Sequence, residues 1–538
     1  MKLQVKYLFA LTALALFSLV FTSPATAQKG EVQEKCLYHF DDLQRKQTWT
    51  DSYNPAGLGL IDFNSSSFME AYMGSGKGDF VKYYEPNQSF NFGLRTASYT
   101  KIKKTTFFGE IDYNNFRGEN MAWSGNIYPE RYLMGVGNDV AAQKRKESYK
   151  LKGGLSVPIL PKLNFGLQVN YETAMMAKRR DLRHRTDLLD FEAITGLLYK
   201  AEKFNLGVSY HYRKYYENVV FSKISDEINV FQGYIFKGLF FGVFDRWDVR
   251  EMDLSRPFLD VIQGLSGQIE YVEGGFRLLN EFTYKYRDGY TGSGLEKAYS
   301  QNLASIFEYK GSAQLESGNV RHYLKVNSLY SDGVNYDKIS TVEVIGGLNV
   351  DVQYGRNKIF SKRSFDFNAL YELAIGRHKC SPEWNLSAGY THYAHMAVSS
   401  LTIPFYLTQS VKVNSGFAKV NKNFVFSKGM VDLSLMGGYR EGSGTRIKLE
   451  NSNTSAPFVA DDILLEQRED LLNREFEYLT KGRAFGEAGL RVSKFVTSKN
   501  ALGALYLEAK YSLVQAQNII YHAGNDSQFI SLALGYSF

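Results

Sequence analysis

Cysteine is nearly absent from this chain: Cys36 and Cys380 are the only two in 538 residues, too few for a disulfide-built scaffold. No stretch after Ala27 approaches the roughly 18 uninterrupted apolar residues that a membrane helix requires. The eight histidines are scattered. No Ser/His/Asp arrangement follows from their spacing, so nothing identifies a nucleophile with its acid-base partner, and an enzyme is not the expectation. His392 and His395 are three apart in an alternating segment, which sends them to opposite faces. No metal or cofactor site is therefore read. The formal charge of +7 is modest for this length and does not argue for nucleic acid.

What the chain has instead is aromatic residues. Tyr and Phe number 38 each, against 10 prolines, while the mean hydropathy is only −0.30. An aromatic-rich, proline-poor chain that is polar on average is the composition of a membrane β-barrel, whose residues alternate between lipid and lumen. The alternation is explicit in "KFNLGVSYHYRK", where Phe204, Leu206, Val208, Tyr210 and Tyr212 oppose Asn205, Gly207, Ser209, His211 and Arg213. It recurs in "KLNFGLQVNY", in "GFRLLNEFTYKYR" and in "ALYLEAKYSL". Strands of about ten or more residues recur to Phe538, whereas soluble strands usually run about five or six.

Connector lengths carry a second pattern. Tight turns at "KIKK", "LPK", "AEK", "VEGG", "ESGN" and "SKGM" alternate for the most part with polar excursions at 117–144, 177–186, 218–260, 396–408 and 441–483. Short turns on one rim and long loops on the other is the asymmetry of outer-membrane barrels. The expected fold is all-β, a transmembrane antiparallel up-and-down barrel of about 18–20 strands, with about 14–22 as bounds. Between 333 and 365 the up-down parity holds only if Gly346-Gly347 is a turn. In the longest excursion, Leu471, Leu472, Phe476 and Leu479 have roughly helical spacing and suggest a short amphipathic helix over the pore or facing another chain.

The ends divide the chain further. Met1–Ala27 has Lys2 and Lys6, an apolar centre and the small residues Ala25-Thr26-Ala27, the layout of a cleaved export signal. Residues 28–65 then form an N-terminal periplasmic or plug-like segment, and residues 66–538 the barrel. Cys36 lacks the run expected before a lipid-modified cysteine. Cys36 and Cys380 either meet as a periplasmic disulfide or stay as two separate thiols. The last strand, "SQFISLALGYSF", places Ile530, Leu532, Leu534, Tyr536 and Phe538 on one face, and pairing it with the first strand would leave no edge in lipid.

Three resemblances follow. The terminal strand, with Tyr536 and Phe538, resembles the segment that the barrel-insertion machinery of outer membranes reads, which implies assembly into a Gram-negative outer membrane. Asn54-Pro55-Ala56-Gly57-Leu58 resembles the Asn-Pro-Ala element of the long-chain fatty-acid transporter superfamily, which implies a gating role for Asn54 and Pro55. The same residues are also ordinary turn chemistry. Over its full length the chain resembles uncharacterised Bacteroidota outer-membrane barrels often encoded beside TonB-dependent receptors, with a receptor of that kind or a surface lipoprotein as implied partners.

The polar faces supply the candidate lumen lining: Arg213, Arg277, Glu281, Lys285, Arg287, Glu308, Lys310, Glu508 and Lys510. These charges suit either a wet pore or a salt-bridged fill. The basic run "KRRDLRHR" falls in a long-loop position, where it could meet lipopolysaccharide phosphates or remain a solvated loop. The expectation is a channel or transporter for small nutrients, without an energised plug of its own. The alternatives are a non-transporting accessory or scaffold subunit of a receptor complex and, less favoured, a barrel enzyme.

Overall fold

The computed structural model describes residues 40, 47–61, 65–223, 232–239, 247–248, 254–292, 298–376, 382–400, 405–451, 469–498 and 501–538. Met1–Ala27, Cys36 and Cys380 lie outside those residues. The strands in chain order are β1 (Ser65–Gly78), β2 (Gln88–Ile102), β3 (Thr105–Met121), β4 (Gly135–Gly137), β5 (Ala142–Leu160), β6 (Leu163–Lys178), β7 (Arg183–Lys200), β8 (Phe204–Ser222), β9 (Gln232–Phe236), β10 (Trp247–Asp248), β11 (Leu254–Glu273) and β12 (Phe276–Gly292). They continue as β13 (Ala298–Ser317), β14 (Val320–Ile345), β15 (Leu348–Ile375), β16 (Trp384–Ser400), β17 (Phe405–Phe426), β18 (Gly429–Asn451), β19 (Arg483–Ser498), β20 (Ala501–Ala516) and β21 (Asp526–Ser537), with helix α1 (Glu469–Thr480) before β19. All except β4, β9 and β10 join one 18-stranded antiparallel sheet.

The sheet closes on itself. β21 pairs with β1 from Phe68↔Ser537 to Gly78↔Ser527, and the backbones of Ser67 and Phe538 exchange two hydrogen bonds of 2.9 Å. The last strand is thus the seam, and an open seam would leave backbone groups unpaired in hydrocarbon. The strand count of 18 falls within the expected range. The difficult stretch resolves as the sequence required: Gly346 and Gly347 have φ of +61° and +83°, the two left-handed positions of a two-residue hairpin turn. They join the two longest strands, of 26 and 28 residues, in a hairpin longer than any bilayer crossing needs.

Register follows from the alternation. Phe204, Leu206, Val208 and Tyr210 are 43–47% exposed on the outer face, while Ser209 and His211 between them are 1% exposed inside. A slip of one residue would turn every charge of such a strand toward lipid, at about 2–4 kcal/mol for each basic residue near the midplane. His392 faces outward and bonds Asn414, whereas His395 is buried inside against Tyr393 and Gln409.

One expected loop is shorter than the sequence suggested. β6 runs to Lys178 and β7 starts at Arg183, leaving only residues 179–182 between them. The turn and the strands therefore divide the basic run: Lys178 and His184, on β6 and β7, are buried in the lumen, while Arg179 and Arg180, in the turn, are exposed.

Candidate functional site

The lumen is covered at both ends. At the short-turn end, residues 47–61 lie inside the wall as two 3-10 turns, Thr48–Asp51 and Pro55–Leu60. Pro55 at the start of the second turn has its φ preset and needs no amide donor there, and the Asn54 side chain caps that turn by accepting from the Ala56 N–H at 3.0 Å. Asn54 is 1% exposed. Its amide donates to the carbonyls of Leu197 (2.9 Å) and Val208 (3.3 Å) and to Gln268 Oε1 (3.0 Å), tying the arm to β7, β8 and β11. The wall makes room with glycine. A Cβ on Gly166 would sit 2.1 Å from the Ala56 nitrogen, and one on Gly196 2.1 Å from Asn54 Oδ1.

The rest of the arm is held by polar groups and by apolar packing, with Trp49 and Ala56 against Leu198 and Leu279, and Leu58 and Ile61 against Phe68, Ala97, Tyr99 and Phe108. Thr48 Oγ1 and Trp49 Nε1 donate to the two oxygens of Glu270 at 2.8 and 2.7 Å, and Lys325 pairs with Asp51. The Tyr53 N–H donates to Glu281 (3.1 Å) and its hydroxyl to Glu308 (3.2 Å). Lys285 and Lys310 lie over the Tyr53 ring, 3.8 and 3.4 Å from its centroid. Burial, and then the Glu308 carboxylate, push the Tyr53 phenol above its ordinary range. Glu281, Lys285, Glu308 and Lys310, from two neighbouring strands, thus all meet the arm at Tyr53.

The other inward charges are paired mainly with one another. Arg213 Nε bonds Asp190 Oδ1 at 2.8 Å, Arg287 lies 2.6 Å from Asp260, and Arg491 lies 3.5 Å from Glu508, which also pairs with Lys510. Arg277 also sits on an inward-facing position of β12. Tyr536 and Phe538 stack at 5.6 Å on the last strand.

At the long-loop end the connection 122–141 folds into the lumen. Ile127, Tyr132, Met134 and Val136 pack against Leu188, Tyr215, Val219, Phe221 and Phe258 of the wall. Glu217 anchors them, accepting from the Ile127 N–H (2.5 Å) and the Tyr132 hydroxyl (2.6 Å). β4 pairs with β9, which presents Tyr234 and Phe236 to Leu471 and Leu472 of α1. Those leucines are 2% and 4% exposed, so the expected helix lies against the loops covering the lumen, with Phe476 and Leu479 half-buried. Glu477 fixes the helix to the last loop. It accepts from the N–H groups of Ile520 (2.5 Å), Tyr521 (2.8 Å) and His522 (3.1 Å) and from the His522 ring (2.8 Å).

Between this cover and the wall lies a cavity of about 530 Å³. Its aromatic lining includes Tyr83, Trp123, Tyr132, Phe360 and Tyr478, and its charged lining includes Lys362, Asp366, Arg440 and Glu475, which form no ion pair among the described residues. Sequence reasoning missed this site, although one signal existed. The excursion "AWSGNIYPERYLMGVGN" is too apolar for a solvated loop, as its inward fold explains.

A closed 18-stranded barrel with an apolar outer belt and a charged, covered lumen defines an outer-membrane-type β-barrel. Within that class the chain belongs to a family of unknown function, DUF6850, whose model matches residues 55–538. No curated protein matches the sequence. Among solved structures it is similar to the ferric preacinetobactin receptor BauA of Acinetobacter baumannii, at 9% identity and a TM-score of 0.39, covering 89% of this chain and 80% of that one. It is also similar to the outer-membrane transporter YddB of Escherichia coli, at 7% identity and 0.37, covering 88% and 81%. A third is the RagAB peptide importer, at 7% and 0.37, covering 88% and 87%. At these values nothing about ligand or partner passes from those proteins to this chain.

Proposed function

We propose that the protein is an outer-membrane channel that lets small hydrated nutrients move down their gradient, with residues 47–61 as the periplasmic gate and the inward-folded loops as the selective entrance. The observation that carries this reading is the pairing of a cavity beneath the loops with an arm held by side-chain hydrogen bonds. A barrel of about 16–18 strands leaves an aqueous passage when nothing fills it. The charged wall favours hydrated solutes over acyl chains, so the fatty-acid analogy extends no further than the Asn54-Pro55 turn.

A second reading, an accessory subunit of an outer-membrane receptor complex, draws support from the β14–β15 hairpin. Val344 and Leu348 at its tip are 72% and 71% exposed, an apolar end suited to contact with another protein. The densely paired interior also suits a barrel that does not conduct. Planar-bilayer recordings of the purified protein separate the two: stable conductance, enlarged by deleting residues 28–60, supports the channel. A silent bilayer for both forms supports the subunit.

A further inference from the structure

The cavity beneath the outer loops holds opposite charges that do not meet. Lys82 and Glu130 on its rim satisfy each other. Lys362 of β15 and Arg440 of β18 have no ion-pair partner among the described residues, and the buried Nε of Arg440 makes no hydrogen bond. Glu475, on the same face of α1 as Tyr478 three residues on, lines the same space. Its carboxyl is pushed up by burial, and although it feels the charge of Lys362 it forms no ion pair with it. Asp366, one turn of the strand pleat beyond Ser364, lines the same space.

Charges held apart in a partly desolvated cavity are costly until something bridges them. A ligand carrying both signs would satisfy each side. A neutral sugar would leave both unmatched, and a simple anion would oppose Glu475. The aromatic walls would cover the apolar body of such a ligand, and the volume of about 530 Å³ lies within the usual range of about 300–1,000 Å³ for small-molecule pockets.

We propose that this cavity binds small zwitterions, free amino acids and short peptides, with Lys362 and Arg440 taking the carboxylate and Glu475 and Asp366 the ammonium group. The proposal rests on the channel reading in treating the cavity as the entrance of a transport path. The test is calorimetric titration of the purified full-length protein with the dipeptide Ala-Phe, its N-acetylated form, its C-amidated form, and maltose. Ala-Phe binds, and either cap lowers its affinity at least tenfold. Arg440→Gln weakens Ala-Phe about tenfold and leaves the amidated form unchanged; Arg440→Lys restores part of the loss, which a misfolded variant would not do.

Equal binding of capped and uncapped forms, preference for maltose, or no binding at all overturns the proposal. Liposome uptake keeps the two readings apart. Binding of Ala-Phe without uptake sinks the channel and leaves the zwitterion site standing. Equal uptake of Ala-Phe and maltose without binding does the reverse.

Discussion

Substituting Asn54 by alanine removes an amide whose two hydrogens are shared among Leu197, Val208 and Gln268, at 2.9, 3.3 and 3.0 Å, together with its cap on the Ala56 N–H. Two such bonds at about 0.5–1.5 kcal/mol net each and a cap worth about 1 kcal/mol cost the docked arm about 3 kcal/mol. Every 1.4 kcal/mol is tenfold, and the ratio of released to docked arm therefore rises about 100-fold. The barrel itself is spared, because the strand ladders of β7, β8 and β11 do not use this side chain. Single-channel recording reads the effect directly. Asn54→Ala gives brief openings to the level that deletion of residues 28–60 shows permanently, with a far higher open probability than the native protein. An unchanged open probability in Asn54→Ala, beside a permanently open deletion, would refute the reasoning about what holds the arm. If the deletion does not conduct either, the arm is no gate.

Removing residues 536–538 strips both backbone bonds between Phe538 and Ser67 from the seam, and the yield of heat-modifiable barrel falls several-fold. Phe538→Ala keeps those bonds and also lowers assembly, through the missing aromatic end; normal yield from both variants contradicts the role of this strand. Glu477→Gln weakens four contacts to residues 520–522, each worth about 1.5–3 kcal/mol where the acceptor is charged. Hydrogen-exchange protection of those amides drops at least tenfold while that of the barrel strands holds, and unchanged protection removes Glu477 from the clasp. Leu471→Asp or Leu472→Asp places a charge in an apolar cluster with Tyr234 and Phe236. α1 becomes cleavable by added protease in an intact barrel, and a protease-resistant variant that has only lost a partner would assign these leucines to an outer surface instead.

The barrel was legible in the sequence because its two faces meet different solvents, so that Phe204 to Tyr210 and Ser209 to Arg213 sort themselves by period alone. Turn chemistry was equally local: Gly346-Gly347 signals its own geometry. The lumen residues could be assigned a face but not a partner. Whether Lys310 meets water or the ring of Tyr53 depends on a segment more than 250 positions away in the chain, and no spacing rule links the two. The contacts of Asn54 reach three strands at once, and neither the turn chemistry of Asn54-Pro55 nor the resemblance that suggested a gate could name them. The inward fold of 122–141 was missed for a similar reason. Connections in this class of barrel are expected outside, and the apolar residues from Ile127 to Val136 find their wall only once the barrel has closed around them.

The most direct test of the channel is uptake of labelled amino acids, dipeptides, sugars and fatty acids by cells with and without the protein, with co-purification of outer-membrane partners from the same cells. The account expects faster entry of small hydrated solutes, faster still when residues 28–60 are deleted, and no change for fatty acids. Unchanged uptake of every class, with a receptor recovered in equal amount alongside the barrel, would contradict it and leave the accessory subunit in its place.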